Sequence, residues 1–141
     1  MKTLYTAILV IFSFSCKSQV ILDDLSGNED LNYYLANIFV NKIERHSLFN
    51  DGLYITFYPF ADFKRTSDTF NNGGHEVQIS YLISVSPDGE YVESSIYQIG
   101  PFTLPIIKSV IPTDYPNFRI EIESGAFDNK TISWYDITVK Q

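Results

Sequence analysis

The chain has 141 residues, 45% hydrophobic and 16% aromatic, with 17 acidic against 10 basic residues and a net charge of −7. That length suits one domain, and the apolar content is too high for wholesale disorder. The acidic balance repels phosphate backbones, which argues against a nucleic-acid partner, and a single cysteine excludes an internal disulfide.

The first segment, MKTLYTAILVIFSFSCKSQ, opens with Lys2, runs through apolar residues from about Leu4 to Phe14, and ends in small residues around Cys16. The run has the length of a signal-peptide core and is too short for a bilayer span of about 20 residues. Ser13-Phe14-Ser15-Cys16 resembles a bacterial lipobox, in which the cysteine thiol is acylated after cleavage in front of it. Ser13 stands where that pattern has leucine, so ordinary signal-peptidase cleavage near Cys16 is the competing reading. The expectation is a signal peptide over 1–15, lipidation at Cys16 and a tether over 16–27. The chain is then an exported lipoprotein of the bacterial cell envelope, in the periplasm or at the outer membrane, and meets the membrane through its N-terminal lipid anchor.

Residues 28–141 read as one α+β domain. Ser26 followed three residues later by Glu29 is a capping-box signal, and Leu31, Tyr34, Leu35, Ile38, Phe39 and Ile43 keep helical spacing. An amphipathic helix is predicted from about Glu29 to Arg45. After the Asn50-Asp51-Gly52 turn, LYITFYPF alternates as a strand, with Pro59 as its expected end. The polar, aperiodic residues 61–74 read as a loop. Val77, Ile79, Tyr81, Ile83 and Val85 then alternate with Gln78, Ser80, Leu82 and Ser84, Pro87-Asp88-Gly89 supplies a turn, and EYVESSIYQI returns as the partner strand of a hairpin.

PFTLPIIKSVI allows either a short helix near 104–111 opened by Pro105 or an extended segment. NFRIEIES alternates with Phe118, Ile120 and Ile122 inward, AFDNK turns the chain, and TISWYDITV forms the last strand. The predicted architecture is an N-terminal helix packed on an antiparallel sheet of about five strands.

No catalytic or cofactor constellation is legible. His46 and His75 lie in no spaced metal motif, no nucleophile elbow is present, and Asn71-Asn72-Gly73-Gly74 lacks the lysine and helix of a phosphate loop. Asp62, Asp68 and Asp128 fall in predicted loops without the dense pattern of a calcium site. Glu121 and Glu123 beside Arg119 fit a solvated strand face better than a hydrolytic pair. Tyr54, Tyr58, Tyr91 and Tyr97 fit ring packing on a sheet better than a sugar platform, and Trp134, the only tryptophan, is a candidate anchor for a partner.

The alternating VQISYLISV, Asp88-Gly89, YVESSIY, Leu104, Pro116-Asn117-Phe118-Arg119 and the closing ISWYDITV occur in an order that resembles the C-terminal domain of TonB, the energy-coupling protein of Gram-negative envelopes. The likeness covers residues 75–140. The uncleaved membrane helix and proline-rich spacer of a working TonB have no counterpart in this sequence, so the resemblance implies peptide capture and not energy transduction. What it implies is strand addition, with a peptide pairing along the last strand at Ile132, Trp134, Tyr135, Ile137 and Val139. The functional expectation is a non-catalytic envelope module that binds a protein or peptide. An inhibitor or immunity protein against a toxin or hydrolase is the first alternative, and a carbohydrate-binding or glycoside-processing protein the second.

Overall fold

Runs of β-branched and aromatic residues with a period of two dominate the chain beyond Leu53, and such runs favour strands. The structure, a computed structural model, describes residues 23–24, 31–65, 77–89 and 93–140. The elements in chain order are β1 (Asp23–Asp24), α1 (Leu31–Asn37), a 3-10 turn (Val40–Lys42), β2 (Glu44–Leu48), β3 (Leu53–Ala61) and β4 (Ile79–Pro87). They continue with β5 (Ser95–Phe102), β6 (Ile106–Pro112), β7 (Phe118–Ser124) and β8 (Thr131–Ile137). The signal peptide, Cys16, the tether up to Leu22, and the Ser26–Glu29 capping signal lie outside the described residues.

Two antiparallel sheets result, one of five strands in the order β1-β5-β4-β3-β2 and one of three in the order β6-β7-β8. Leu53, Ile55 and Phe57 of β3, Ile83 and Val85 of β4, and Tyr97 and Ile99 of β5 meet Phe118, Ile120 and Ile122 of β7 and Ile137 of β8 in one buried core. Each such side chain removed from water contributes about 1.5–3 kcal/mol. Two apolar sheet faces cover one another, so the domain is a β-sandwich. The expected helix packed on a single sheet of about five strands is overturned.

The helix is where the expectation fails most. Its spacing predicts a span from about Glu29 to Arg45, and α1 covers only Leu31–Asn37. Asn37 Nδ2 donates to the Tyr33 carbonyl at 2.7 Å, a side-chain bond that competes with continuation of the helix. Beyond it, Ile38 bridges Phe60 and the Phe39 amide donates to the Pro59 carbonyl at 2.8 Å, so the backbone is drawn into the sheet. Leu35, expected on the buried stripe, is 64% exposed. What α1 covers is one patch on the outer face of the large sheet, where Tyr34 packs edge-on against Phe60 at 5.1 Å and against Leu82.

A short helix near 104–111 is also ruled out. Ile106–Pro112 is β6, paired with β7 from Ile106↔Glu123 to Pro112↔Phe118. Ile106, Ile107, Val110 and Ile111 are β-branched and fit a pleated surface better than a helix. β4 and β5 pair as an antiparallel hairpin with Ile83 opposite Tyr97, but β4 runs through Pro87 of the expected turn, β5 begins only at Ser95, and residues 90–92 of the expected partner strand lie outside the described residues. Pro59 does not end β3, which runs on to Ala61. The Pro59 carbonyl points to Phe39, on the β2 side, so its missing N–H faces the same side, beyond Phe57, where the β2 ladder has stopped.

Two backbone features shape the sandwich. At the β2–β3 turn, Phe49, Asn50 and Asp51 all take positive φ (55°, 53° and 68°), held by a hydrogen bond from the Ser47 hydroxyl to the Asp51 carboxylate and by edge-on packing of Phe49 against Tyr115 of the small sheet's turn. At the far end of β5, Gly100 and Pro101 together oppose Ser80, a bulge that lets the chain leave the large sheet for β6. Gly100 has φ +127°, and a Cβ there would fall 2.6 Å from Ser80 Oγ and 2.9 Å from its Cα. Gly100→Ala is therefore expected to lose about 2 kcal/mol or more, from left-handed strain and overlap with backbone, measured as a lower urea midpoint at unchanged slope.

Candidate functional site

Among the described residues, the last strand is an edge. β8 pairs with β7 from Phe118↔Ile137 to Ser124↔Thr131 without a break in register, and no strand among the described residues pairs with its other side. A free edge offers a row of N–H and C=O groups to any extended chain, and proteins guard such edges with charge, proline, bulges or shortness. The other edges of the sandwich carry these guards. β2 has five residues and includes Glu44 and Arg45. β6 is bulged between Ile107 and Ser109, contains Lys108 and is bounded by Pro105 and Pro112. β8 has seven residues, no proline, no bulge and one charge, Asp136.

The residues expected to form a partner site divide by parity. Ile132 and Trp134 lie on the outer face and are 54% and 50% exposed. Tyr135, Ile137 and Val139 point the other way: Ile137 and Val139 belong to the core, and Tyr135 packs at its margin with its ring 5.6 Å from Phe102. The available surface is therefore the β8 main chain together with Ile132 and Trp134, not the five side chains as a set.

Around them the outer face is a charge lattice. Arg119 donates to both Asp136 carboxylate oxygens, at 2.6 and 3.0 Å, and its guanidinium lies 6.0 Å from the Trp134 ring centroid. Ser109 donates to Glu121 at 2.8 Å. Lys130 donates to Glu123 at 3.0 Å, with Lys108 Nζ 3.8 Å from the same carboxylate. The Lys130 hydrogen bond is the largest cause holding the Glu123 carboxyl below the usual glutamate value of 4.5; partial burial opposes it, and the Lys130 and Lys108 charges reinforce it. Glu121 and Glu123 are thus occupied by neighbours in an open face, which disfavours the hydrolytic reading.

A second constellation is not legible in the sequence. Asp62, expected in a loop, is 1% exposed at the end of β3. Its carboxylate accepts from Ser80 Oγ at 2.7 Å, Gln98 Nε2 at 3.4 Å and the Arg65 amide at 3.2 Å, with Arg65 Nε 3.9 Å away. Arg65 Nη1 in turn donates to the Gly100 carbonyl at 3.2 Å. Buried charge is stable only when paired and hydrogen-bonded, and Arg65 supplies the cation. The Lys64 amide donates to the Tyr33 hydroxyl at 3.1 Å, and Lys64 Nζ lies 4.3 Å from the Tyr33 ring centroid, so the turn after β3 is fastened to α1. This cluster binds the chain to itself. The rest of the predicted loop, 66–74, lies outside the described residues.

The other candidates do not converge. His46 is on β2, edge-on to Phe57 at 5.5 Å and 3.7 Å from Glu44; His75 and Asp68 lie outside the described residues. No cluster of three or more His, Cys, Asp or Glu suited to a metal occurs among the described residues. Tyr54 and Tyr58 share the outer face of the large sheet, whereas Tyr97 is buried on its inner face, and Tyr91 lies outside the described residues. No helix among the described residues is long and apolar enough to cross a membrane. No family model matches the chain, and comparison with curated proteins and with solved structures returned no match either.

Removing the buried carboxylate in Asp62→Ala takes the shared acceptor from Ser80, Gln98 and Arg65 and is expected to lose about 2–4 kcal/mol in denaturant unfolding. For Glu123 the folded value is depressed, so its contribution is complete above the unfolded value and is lost as pH falls through the folded one. Melting temperature followed downward from pH 6 is therefore expected to fall below about pH 4.5, and less steeply in Glu123→Gln than in the wild type.

Proposed function

We propose that the chain is an exported, lipid-anchored, non-catalytic module of the bacterial cell envelope that takes an extended segment of a protein or peptide onto the free edge of β8. The observation that carries this reading is the contrast among edges: seven residues of unbroken, lightly charged strand in β8 against the short, bulged or proline-bounded alternatives. Lys2, the apolar run to Phe14 and Cys16 support export and anchoring.

Among the described residues, nothing pairs with β8 on the side away from β7. Tyr135 against Phe102, and the Lys140 amide donating to the Tyr97 hydroxyl at 2.9 Å, set β8 beside β5. The large sheet extends past β5 by β1, so a strand added to β8 lies on the side where the large sheet continues beneath it. Main-chain hydrogen bonds contribute about 0.5–1.5 kcal/mol each, and ordering the added segment offsets part of that, so micromolar dissociation constants are expected.

The test is a library of extended seven- to nine-residue peptides read by hydrogen exchange. Binders are expected to slow exchange of the 131–137 amides specifically. Trp134→Ala or Ile132→Lys is expected to weaken binding about ten-fold or more, with melting temperature within a few degrees of wild type because both side chains are half exposed. Binders that protect other strands, or no binders at all, would sink the proposal.

A further inference from the structure

Along the outer face, Lys130, Ile132, Trp134 and Asp136 follow one another at a period of two, with Lys130 immediately before β8. Each strand residue ends a cross-strand row: Ile106–Glu123–Ile132, Ser109–Glu121–Trp134 and Ile111–Arg119–Asp136. An added strand extends every row by one residue, and each new side chain meets the β8 residue beside it at about 4.5–5.5 Å. The row ends differ in kind: a cation, two apolar side chains, then a carboxylate. Both charged ends stay accessible despite their intramolecular pairs, with the Lys130 side chain 41% and the Asp136 side chain 66% exposed. β8 therefore presents a directional pattern.

We infer that the segment this edge selects is a stretch of another protein that adds antiparallel. It reads, from its N-terminal end, basic–x–apolar–x–apolar–x–acidic. The inference rests on the strand-addition reading above and names the chemistry of its ligand. The basic residue lies beside Asp136, the two apolar residues beside Trp134 and Ile132, and the acidic residue beside Lys130. Antiparallel pairing sets the reading direction, because the partner's N-terminal end meets the C-terminal end of β8 at Asp136. Like charges directly opposite one another disfavour the reverse placement. Residues 130–136 of the chain itself, KTISWYD, have the same form, so a second copy is a competing occupant of the same edge.

Three tryptophan-free heptapeptides test this on the full chain, with Trp134, the only tryptophan, as the fluorescent reporter. The first reads Lys-Thr-Ile-Thr-Val-Thr-Asp, the second exchanges Lys and Asp, and the third carries Gln at both ends. The Lys-first peptide is expected to bind about five-fold or more tighter than the Asp-first one at low salt, and the gap is expected to close at 1 M salt and in Lys130→Glu. Equal affinities for all three overturn the charge pattern while leaving strand addition in place. A preference for the Asp-first peptide overturns the antiparallel direction. If none of the three shifts Trp134 emission or slows exchange over 131–137, while the library yields other binders there, the pattern alone fails; if the library is also silent, the edge reading fails with it. A dimer that the Lys-first peptide releases to monomer supports the inference, since both compete for one polarity; a dimer that it leaves intact overturns it.

Discussion

Everything in this domain depends on the place where β5 leaves the large sheet. Ser80 comes so close to the backbone of Gly100 that no side chain fits between them, and the bulge formed there by Gly100 and Pro101 carries the chain toward the small sheet. That exit brings Phe118, Ile120 and Ile122 over Leu53, Ile55 and Phe57 and makes a shared interior from two faces that would each be left open alone. The carbonyl of the same glycine accepts from Arg65, so the turn after β3 is anchored to the corner as well. One small residue thus sets the exit of β5, the stacking of the sheets and the seat of the pair between buried Asp62 and half-buried Arg65.

Burial on both faces explains the composition of the central strands. Ser80 and Leu82 are as buried as Tyr81 and Ile83, although a period-two reading puts them on opposite faces. Leu82 packs with Tyr34 and Phe60 beneath α1, and Ser80 is satisfied by Asp62. A polar residue at an outward strand position is therefore no sign of solvent here. Ser80 is one half of a hydrogen bond whose other half, Asp62, lies just past the end of β3.

The parts of the fold that were legible are those decided by local pattern. Phe118, Ile120 and Ile122 alternate cleanly and are inward, and β4 pairs antiparallel with β5. The edge strand at Thr131–Ile137 was also readable as the final strand, though not which of its side chains would be accessible, because that depends on what Val139 and Tyr135 pack against. What was hidden required knowledge of cross-strand neighbours. Leu31 to Ile43 fits helical spacing, yet Ile38 and Phe39 pair with β3, and tertiary pairing overrides propensity. The prolines around β6 read equally as a helix start and as strand bounds, and only its four β-branched residues tip the balance. Asp62 gives no sequence signal of burial, since Ser80 and Gln98 are 18 and 36 residues away.

Pro59 has a consequence for the chain before it is folded. LYITFYPF is rich in aromatic and β-branched residues, the kind of stretch that pairs with copies of itself when exposed during synthesis. In the folded sandwich its missing donor falls on the side toward β2, just before Glu44, the first β2 residue, where the Phe39 amide bonds to the Pro59 carbonyl and the β2 ladder needs no donor from it. A misplaced strand running the full length of β3 on that side meets a position that cannot donate. A proline there leaves the β2–β3 pairing intact while removing one donor from any strand added along that side.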